Sequence, residues 1–218
     1  MRKGPSKGIR PGPKQEYQKV LILCEGETEV AYFDGLTKHL KALQPKQPVR
    51  GRRPDPVDVE RARRTAAKLI VQEALNRRAE GHSQIWAVFD TEGQNVTPLR
   101  RQVQETPSSP AEAEVHTAVS HPAFEIWLLL HHLDCGRLHG CHGPEDSEKL
   151  LKATVPSWAK GERRRGKAGT GFSDFEDGLD HACGRAERTT PDHYGDYPWT
   201  DVHKVVHVIR THFPVESP

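Results

Sequence analysis

The sequence lacks the features that would mark it as secreted, membrane-bound or stabilised by disulfides. It has only four cysteines in 218 residues, and Cys24 lies inside an apolar segment where a reduced, buried thiol is common. The longest apolar run, residues 126–130, is far too short to span a bilayer. The basic N-terminus has no apolar stretch behind it before Val20, unlike a signal peptide. We therefore expect a cytoplasmic protein with no membrane partner.

Two common catalytic loops are also missing. The chain has neither a glycine-rich Walker loop nor a Gly-x-Ser-x-Gly elbow, which argues against ATP hydrolysis and serine-based hydrolysis. The net charge is only +2, but basic residues are concentrated in four patches, at 50–53, 61–64, 77–78 and 163–165. Such patches suit a phosphate backbone, although most charged surface runs are merely solvated.

Length and composition predict one α/β domain. A chain of 218 residues with 34% hydrophobic residues can bury a single core. Residues 1–17 are rich in Gly, Pro and Lys without periodicity, so they are expected to form a basic, disordered arm. The domain is expected to span residues 18–213, with a short tail at 214–218.

Two continuous apolar runs have the length of buried parallel strands. Residues 19–24 stop at Glu25, and residues 85–89 stop at Asp90. A third strand is predicted at residues 114–119. Because helical patterns follow the first two strands, the sequence predicts a mostly parallel sheet flanked by helices, with additional C-terminal helices.

Helices are predicted where apolar residues recur at steps of three and four. One helix begins near Thr28 and ends by Pro45, and residues 57–78 are expected to form one long helix with Leu69 among its core residues. The other helices are expected over residues 98–105, 120–133, 145–153, 172–188 and 200–212.

Acidic residues follow both confident strands. Parallel strands deliver their following loops to one edge of the sheet, so Glu25, Asp90 and Glu92 are expected to meet there. Clustered carboxylates repel one another unless a cation neutralises them, and hard oxygen ligands favour Mg²⁺ or Mn²⁺. Each segment alone has an ordinary explanation, in which Glu25 and Glu29 favour a helix N-terminus and Asp90 opens a turn.

Three blocks resemble the signature of RloB-like proteins. They are Cys-Glu-Gly-Glu-Thr-Glu at 24–29 with Tyr32 and Phe33 following, Phe-Asp-Thr-Glu at 89–92, and Ser-His-Pro-Ala-Phe-Glu-Ile-Trp-Leu-Leu-Leu-His at 120–131. Weaker matches are Trp158-Ala-Lys160 and Pro198-Trp-Thr200 with Val202-His203. The resemblance spans roughly residues 18–210.

The resemblance implies a Toprim-like, Rossmann-type core that holds metal for phosphodiester cleavage. Glu25 matches the family's glutamate after the first strand, and Asp90 with Glu92 matches its later Asp-x-Asp. The chain departs from the pattern at Glu92, where a second Asp is common, and at His121, where Asn is usual. Glu92 can still ligate a metal through its longer arm, whereas the role of His121 stays open.

Glu125 is a further candidate because it lies among apolar residues on a helix expected to be buried. A buried carboxylate is costly unless it is paired or metal-bound. Helical spacing allows Glu125 and His132 to face the acidic edge together. Alternatively, Glu125 pairs with a buried arginine or caps a loop.

The candidate site residues fall into two groups. The catalytic candidates are Glu25, Asp90, Glu92 and Glu125, of which the first three are the expected metal ligands. The candidates for substrate binding are Glu29, His121, His132, Lys160, Arg163, Arg164 and Arg165. An ordinary surface position explains Lys160 equally well.

Six His and Cys residues crowd into residues 131–142, which raises the question of a zinc site. Their spacing fits no standard paired-ligand finger, and the resemblance implies no zinc, so unliganded side chains are the preferred interpretation.

These residues and the resemblance together predict a metal-dependent nuclease acting on RNA, with tRNA as one candidate, or on DNA. The resemblance further implies an effector of phage defence, causing abortive infection, with an AAA-type ATPase as partner. RNA is the more expected substrate. The alternative is a non-catalytic module that binds nucleic acid or the ATPase and retains the fold, and Glu92 in place of Asp favours it.

Overall fold

A computed structural model describes residues 18–45, 55–164, 167–192 and 197–214. The expected N-terminal arm and residues 215–218 of the expected tail lie outside the described residues. The described parts form a five-stranded, mostly parallel sheet with helices on both faces and further helices toward the C-terminus. The predicted α/β fold class is confirmed.

The strand order in the sheet is β2-β1-β3-β4-β5, and only the pairing of β4 with β5 is antiparallel. The strands are β1 (Val20–Cys24), β2 (Val57–Arg61), β3 (Gln84–Asp90), β4 (Glu114–His121) and β5 (Trp199–Thr200). The helices are α1 (Glu27–Ala42), α2 (Ala67–Asn76), α3 (Thr97–Glu105), α4 (Glu125–Leu130), α5 (Pro144–Thr154), α6 (Leu179–Ala186) and α7 (His203–His212). None of these described helices has the length and apolar character to span a bilayer.

The interior strand β1 is buried on both faces. Alternate residues point to opposite sides of a strand, so Val20, Ile22 and Cys24 join the core formed with α1, α4, α6 and α7. Leu21 and Leu23 join the core formed with α2 and α3. This double burial explains why the strand is apolar throughout and why its sequence identifies it.

The chain changes direction between β1 and β3. Helix α1 leads from β1 to the outer strand β2 and packs on one face of the sheet, whereas α3 leads from β3 to β4 and packs on the other. The two helices diverge and leave a crevice beyond the carboxyl ends of β1 and β3. Such a topological switch point is where open α/β sheets bind ligands.

The prediction of one helix over residues 57–78 is wrong. Residues 57–61 form β2, which pairs in parallel with β1 from Val20 opposite Val57 to Cys24 opposite Arg61. The hydrogen bonds between β2 and β1 determine the structure of residues 57–61, although the apolar residues from Ala62 onward recur at helical spacing. Helix α2 begins only at Ala67, and Leu69, expected in the core, is 43% exposed.

Three other helices are shorter than predicted. Ser120 and His121 remain in β4 because they pair with β5, so α4 begins only at Glu125. Helix α7 begins at His203 for the same reason, since the preceding residues form β5. The segment 172–178 forms two short 3-10 turns before α6 begins.

A buried carboxylate fastens the two-residue strand β5 to β4. The side chain of Asp201 is fully buried and accepts hydrogen bonds from Val119 N at 2.5 Å and from Arg100 Nη1 at 2.8 Å. Asp201 N donates to Val119 O at 3.0 Å. The Arg100 guanidinium also lies 5.3 Å from the centroid of the Trp199 ring. These contacts hold the C-terminal segment against the carboxyl end of β4.

Replacing Asp201 by alanine should destabilise the fold strongly. The Asp201→Ala variant leaves the Val119 N–H unpaired and leaves the Arg100 guanidinium with the partly exposed Asp192 as its remaining acidic partner, so we expect the free energy of unfolding to fall by about 2–4 kcal/mol. Urea unfolding followed by circular dichroism measures this change. The matched control is Asp180→Ala, because the Asp180 side chain is 85% exposed beside Arg210 and exposed pairs contribute little. Equal losses in both variants would contradict the role of Asp201.

Candidate active site

Glu25 and Asp90 lie side by side at the switch-point crevice. The pairing of β1 with β3 places Cys24 level with Val88, and Glu25 N continues it by donating to Val88 O at 3.1 Å. Glu25 Oε2 in turn accepts a hydrogen bond from Asp90 N at 3.0 Å. The ends of β1 and β3 are therefore joined by a hydrogen bond from a main-chain N–H to the side-chain carboxylate of Glu25.

Two buried carboxylates lie within electrostatic reach of this pair. Glu29, on the first turn of α1, and Glu125, the first residue of α4, are each 5% exposed. Gly26 leaves the space that Glu29 occupies, because a Cβ at this glycine would lie 2.8 Å from Glu29 Oε2. We call Glu25, Glu29, Asp90 and Glu125 the acidic cluster.

The protein environment opposes negative charge on every member of the acidic cluster. Burial raises the pKa of Glu25 to about 6, with a further contribution from Glu92, while the Asp90 N–H opposes this. Burial and then the carboxylates of Glu25 and Glu125 raise the pKa of Glu29 to about 7. Burial and the other three acids raise the pKa of Asp90 well above its ordinary range. A nearby positive charge stabilises the ionised form of such carboxylates.

A positive charge borders the acidic cluster. Lys160 Nζ lies 3.0 Å from Glu148 Oε2, and this contact, with further contributions from Glu125 and Asp90, raises the pKa of Lys160. The loop that carries Lys160 is fixed to α1, because Gly161 N donates to Thr28 Oγ1 at 3.0 Å. Gly161 has φ +82°, which favours glycine. The Lys160 side chain is 57% exposed, so it lies at the surface, within electrostatic range of Glu125 and Asp90.

Glu92 lies on the turn that follows Asp90. It is exposed, with φ +47°, and its N–H donates to Pro122 O at 3.2 Å. The buried residue between these two acids, Thr91, has its Oγ1 2.7 Å from His121 Nδ1. The His121 ring stacks on Trp199 with centroids 5.9 Å apart. His121 therefore supports the turn between two candidate ligands.

Other candidate residues lie apart from the acidic cluster or outside the described structure. His132 follows the end of α4, where it is exposed beside the Phe175 ring, so no shared helical face carries it to the acidic cluster. The Arg163 guanidinium is held inside its own loop by Asp174 and by Gly169 O. Arg164 is exposed, and Arg165 lies outside the described residues.

The His and Cys residues at 131–142 make contacts within the fold. His131 lies between the Tyr32 hydroxyl, 3.1 Å from its Nε2, and Phe175 O, 2.6 Å from its Nδ1. Burial lowers the pKa of His131 to about 3, so the ring is neutral at physiological pH. Cys135 Sγ donates to Arg185 O at 3.4 Å. These contacts tie α4 to α1 and α6.

The acidic cluster offers suitable donors for Mg²⁺ or Mn²⁺, but not a closed cage. Within residues 18–45, 55–164, 167–192 and 197–214, no group of three or more His, Cys, Asp or Glu side chains is arranged so that it could hold a metal ion. Mg²⁺ usually needs only one or two carboxylates, because water and substrate phosphates supply its remaining ligands. Glu25 and Asp90 are the two members of the acidic cluster that are partly exposed rather than buried.

Glu29 is more deeply buried than its sequence position suggested. The sequence predicted a substrate contact or a charge that favours the helix N-terminus, whereas the structure buries this residue among three other acids. A signal was present, because Glu29 occupies the same helical stripe as the core residues Phe33, Leu36 and Leu40. An acid within an apolar stripe indicates a buried carboxylate.

Comparison with known proteins agrees with the three sequence blocks. The family model described as RloB-like protein matches residues 20–209, a range that includes the whole acidic cluster. The relationship suspected from the sequence is confirmed. No curated protein and no solved structure matches the chain.

Neutralising Glu29 should stabilise the metal-free protein at high pH. Its pKa of about 7 in the fold exceeds the value of about 4.3 expected in the unfolded chain. The folded state therefore binds more protons, and stability is lost as pH rises from the lower value through the higher one. We expect Glu29→Gln to raise the free energy of unfolding at pH 8 by on the order of 2 kcal/mol and to change it little at pH 4.

Urea unfolding in EDTA between pH 4 and 8 tests this expectation. The control is Glu105→Gln, since Glu105 is an exposed acid near the end of α3. A pH dependence that is the same in wild type and Glu29→Gln would show that Glu29 carries no such penalty.

Proposed function

Because this chain belongs to the RloB-like family and gathers four acids at its switch-point crevice, we propose that it is a metal-dependent nuclease cleaving RNA or DNA. The observation that carries the proposal is the hydrogen bond from Asp90 N to Glu25 Oε2, which ties the Glu25 carboxylate to the end of β3, where the charge of Glu25 also raises the pKa of Asp90. No ion pair with an arginine neutralises the acidic cluster within the described part of the chain. The carboxylates of the acidic cluster therefore still favour the binding of a cation.

Each residue has a distinct part in this proposal. Glu25 and Asp90 hold the ion, and Glu92 reaches toward it from the exposed turn. When bound, the metal stabilises charge on the phosphodiester and activates water. Lys160 contacts a phosphate oxygen at the border of the site, as a compact point charge does well. Glu125 adds a carboxylate in the interior of the site. The charge of Lys160 alone does not compensate all four acids, so the site favours a divalent cation.

The competing function is a non-catalytic module that binds nucleic acid or an ATPase. Its support is the lack of a three-ligand metal arrangement among the described residues and the exposed position of Glu92. Metal binding separates the two functions, because only the nuclease requires it.

The proposed substrate and cellular role follow from family membership. RNA, including tRNA, is favoured over DNA, and the protein acts as an effector of phage defence that an AAA-type ATPase restrains. The basic patches of the chain are compatible with either nucleic acid.

Divalent metal should stabilise the wild type through Asp90. An ion present at about 100 times its Kd adds about 2.7 kcal/mol to folding stability, so Mn²⁺ or Mg²⁺ should raise Tm by several degrees. Asp90→Asn should lose most of this shift, while the exposed control Asp180→Asn should keep it. Differential scanning calorimetry with and without metal, on each protein, makes the comparison. Equal shifts in all three proteins would place the metal elsewhere.

Cleavage should depend on the same carboxylates. Removing a metal ligand removes several kcal/mol of transition-state stabilisation, so Glu25→Gln and Asp90→Asn should lose activity by about 100-fold or more. Total tRNA and plasmid DNA, incubated with Mn²⁺ in the presence and absence of the cognate ATPase, report the products on denaturing gels. Identical patterns for wild type and both variants, with no metal-linked stabilisation, would overturn the nuclease and favour the binding module.

A further inference from the structure

The strand β2, which replaces the first part of a predicted helix, moves three arginines to the edge of the sheet that holds the acidic cluster. Arg61 ends β2 level with Cys24, the residue before Glu25. The pairing continues past the strand, because Ala62 N donates to Cys24 O at 2.7 Å. Arg63 and Arg64 follow on the connecting loop. Since paired strands lie about 4.8 Å apart, this loop leaves the sheet directly beside Glu25.

Two of these arginines keep their charge available to a partner. The Arg63 side chain is 88% exposed, and its distance to Glu73 Oε1 is 3.9 Å, at the limit of an ion pair. Arg64 is exposed, and no described acid forms an ion pair with it. Arg61 differs, because its guanidinium lies 3.3 Å from Glu27 Oε1.

Other arginines in the basic patches are engaged within the fold. Arg77 lies 2.7 Å from both Glu60 and Glu80, and it follows α2 at the opposite edge of the sheet. Arg163 is bound by Asp174. The contrast shows that sequence clustering alone does not identify the arginines that can contact an external anion. Exposure and pairing select Arg63 and Arg64.

A second basic position lies across a cleft from this loop. The cleft has a volume of about 380 Å³ and runs along α1. Arg61 lines one side, and the exposed Arg164 lines the other. The acids Asp34 and Glu162 also line the cleft, so its interior is not an anion site. Arg164 lies at the border of the cleft, and Arg63 and Arg64 follow Arg61 on the loop just outside it.

We propose that Arg63 and Arg64, with Arg164 across the cleft, contact the phosphodiester backbone of a single-stranded nucleic acid as it passes the acidic cluster. We call these three residues the basic rim. The inference rests on the proposed function, because it assigns the surface that holds the same substrate. A strand that approaches four carboxylates is repelled, and the basic rim supplies attraction at neighbouring phosphates without reading sequence. RNA and DNA share this backbone chemistry.

Binding without cleavage tests the basic rim. Fluorescence anisotropy with 5′-fluorescein-labelled 20-nucleotide RNA and DNA of the same sequence, in EDTA, gives Kd over a series of salt concentrations. Each lost contact with a single strand flattens the slope of log K against log[salt] by about 0.7. Arg63→Ala/Arg64→Ala should therefore flatten the slope by about 1.4 and weaken binding about 10- to 30-fold at 0.1 M salt. Arg164→Ala should flatten it by about 0.7.

Two controls separate the rim from a general effect of net charge. Arg63→Lys/Arg64→Lys retains both charges and should keep the wild-type slope. Arg137→Ala removes an exposed arginine from the 3-10 turn beyond the far end of α4 and should leave binding unchanged. Because these arginines are exposed, the Tm of the alanine variants should match the wild type.

The outcomes distinguish this inference from the nuclease itself. Wild-type binding that the rim variants weaken, without any cleavage in Mn²⁺, would remove the nuclease and keep the basic rim. An unchanged slope in Arg63→Ala/Arg64→Ala, equal weakening by Arg137→Ala, or no binding of either oligonucleotide by the wild type would overturn the basic rim. Tighter binding of the RNA than of the DNA would assign the strand to RNA.

Discussion

Burial of four carboxylates near the carboxyl ends of β1, β3 and β4, together with the repulsion among them, is the constraint to which the surrounding structure responds. Main-chain groups provide the first response: Asp90 N donates to Glu25, and the main chain at Phe124 and at Gly26 lowers the pKa of Asp90 and of Glu29, respectively. These donors reduce the repulsion without cancelling it, because the pKa values of the acids stay raised. The site is therefore stable as folded structure and still unfavourable for negative charge. In the proposed function, the metal ion is what compensates the remaining negative charge, because Lys160 lies only at the border of the cluster.

The C-terminal segment fixes the geometry of that site from outside. Asp201 and β5 hold the end of β4 in place, and Trp199 stacks on His121, which contacts Thr91 between Asp90 and Glu92. A residue whose role the sequence left open thus joins the last strand to the turn that carries the candidate ligands. This connection gives a physical reason why the acidic edge and the C-terminal residues 198–203 belong to one domain. The family match from residue 20 to residue 209 includes both.

How much the sequence predicted depended on how each element is stabilised. The strands β1 and β3 are buried on both faces, so their apolar runs identified them and the acids that follow them. The edge strand β2 has only its pairing with β1 and a short alternation, and β5 has two residues held by the bond of the adjacent Asp201 to the distant Val119. Long-range hydrogen bonds decide such elements, and no local pattern contains them. The same limit applies to His132, whose position depended on where α4 ends.

The distribution of charge around the crevice follows from the same electrostatics. A polyanion cannot enter a cluster of carboxylates unless cations compensate locally, and the net charge of +2 is too small to attract it from a distance. The attraction must therefore come from basic residues that lie close to the crevice. Arg77 and Arg163 are engaged in internal ion pairs, whereas Arg63 is exposed on the loop that leaves the sheet beside Glu25. In the proposed function, an arginine at that position strengthens substrate binding without neutralising the acids, so the acidic cluster still favours a metal ion.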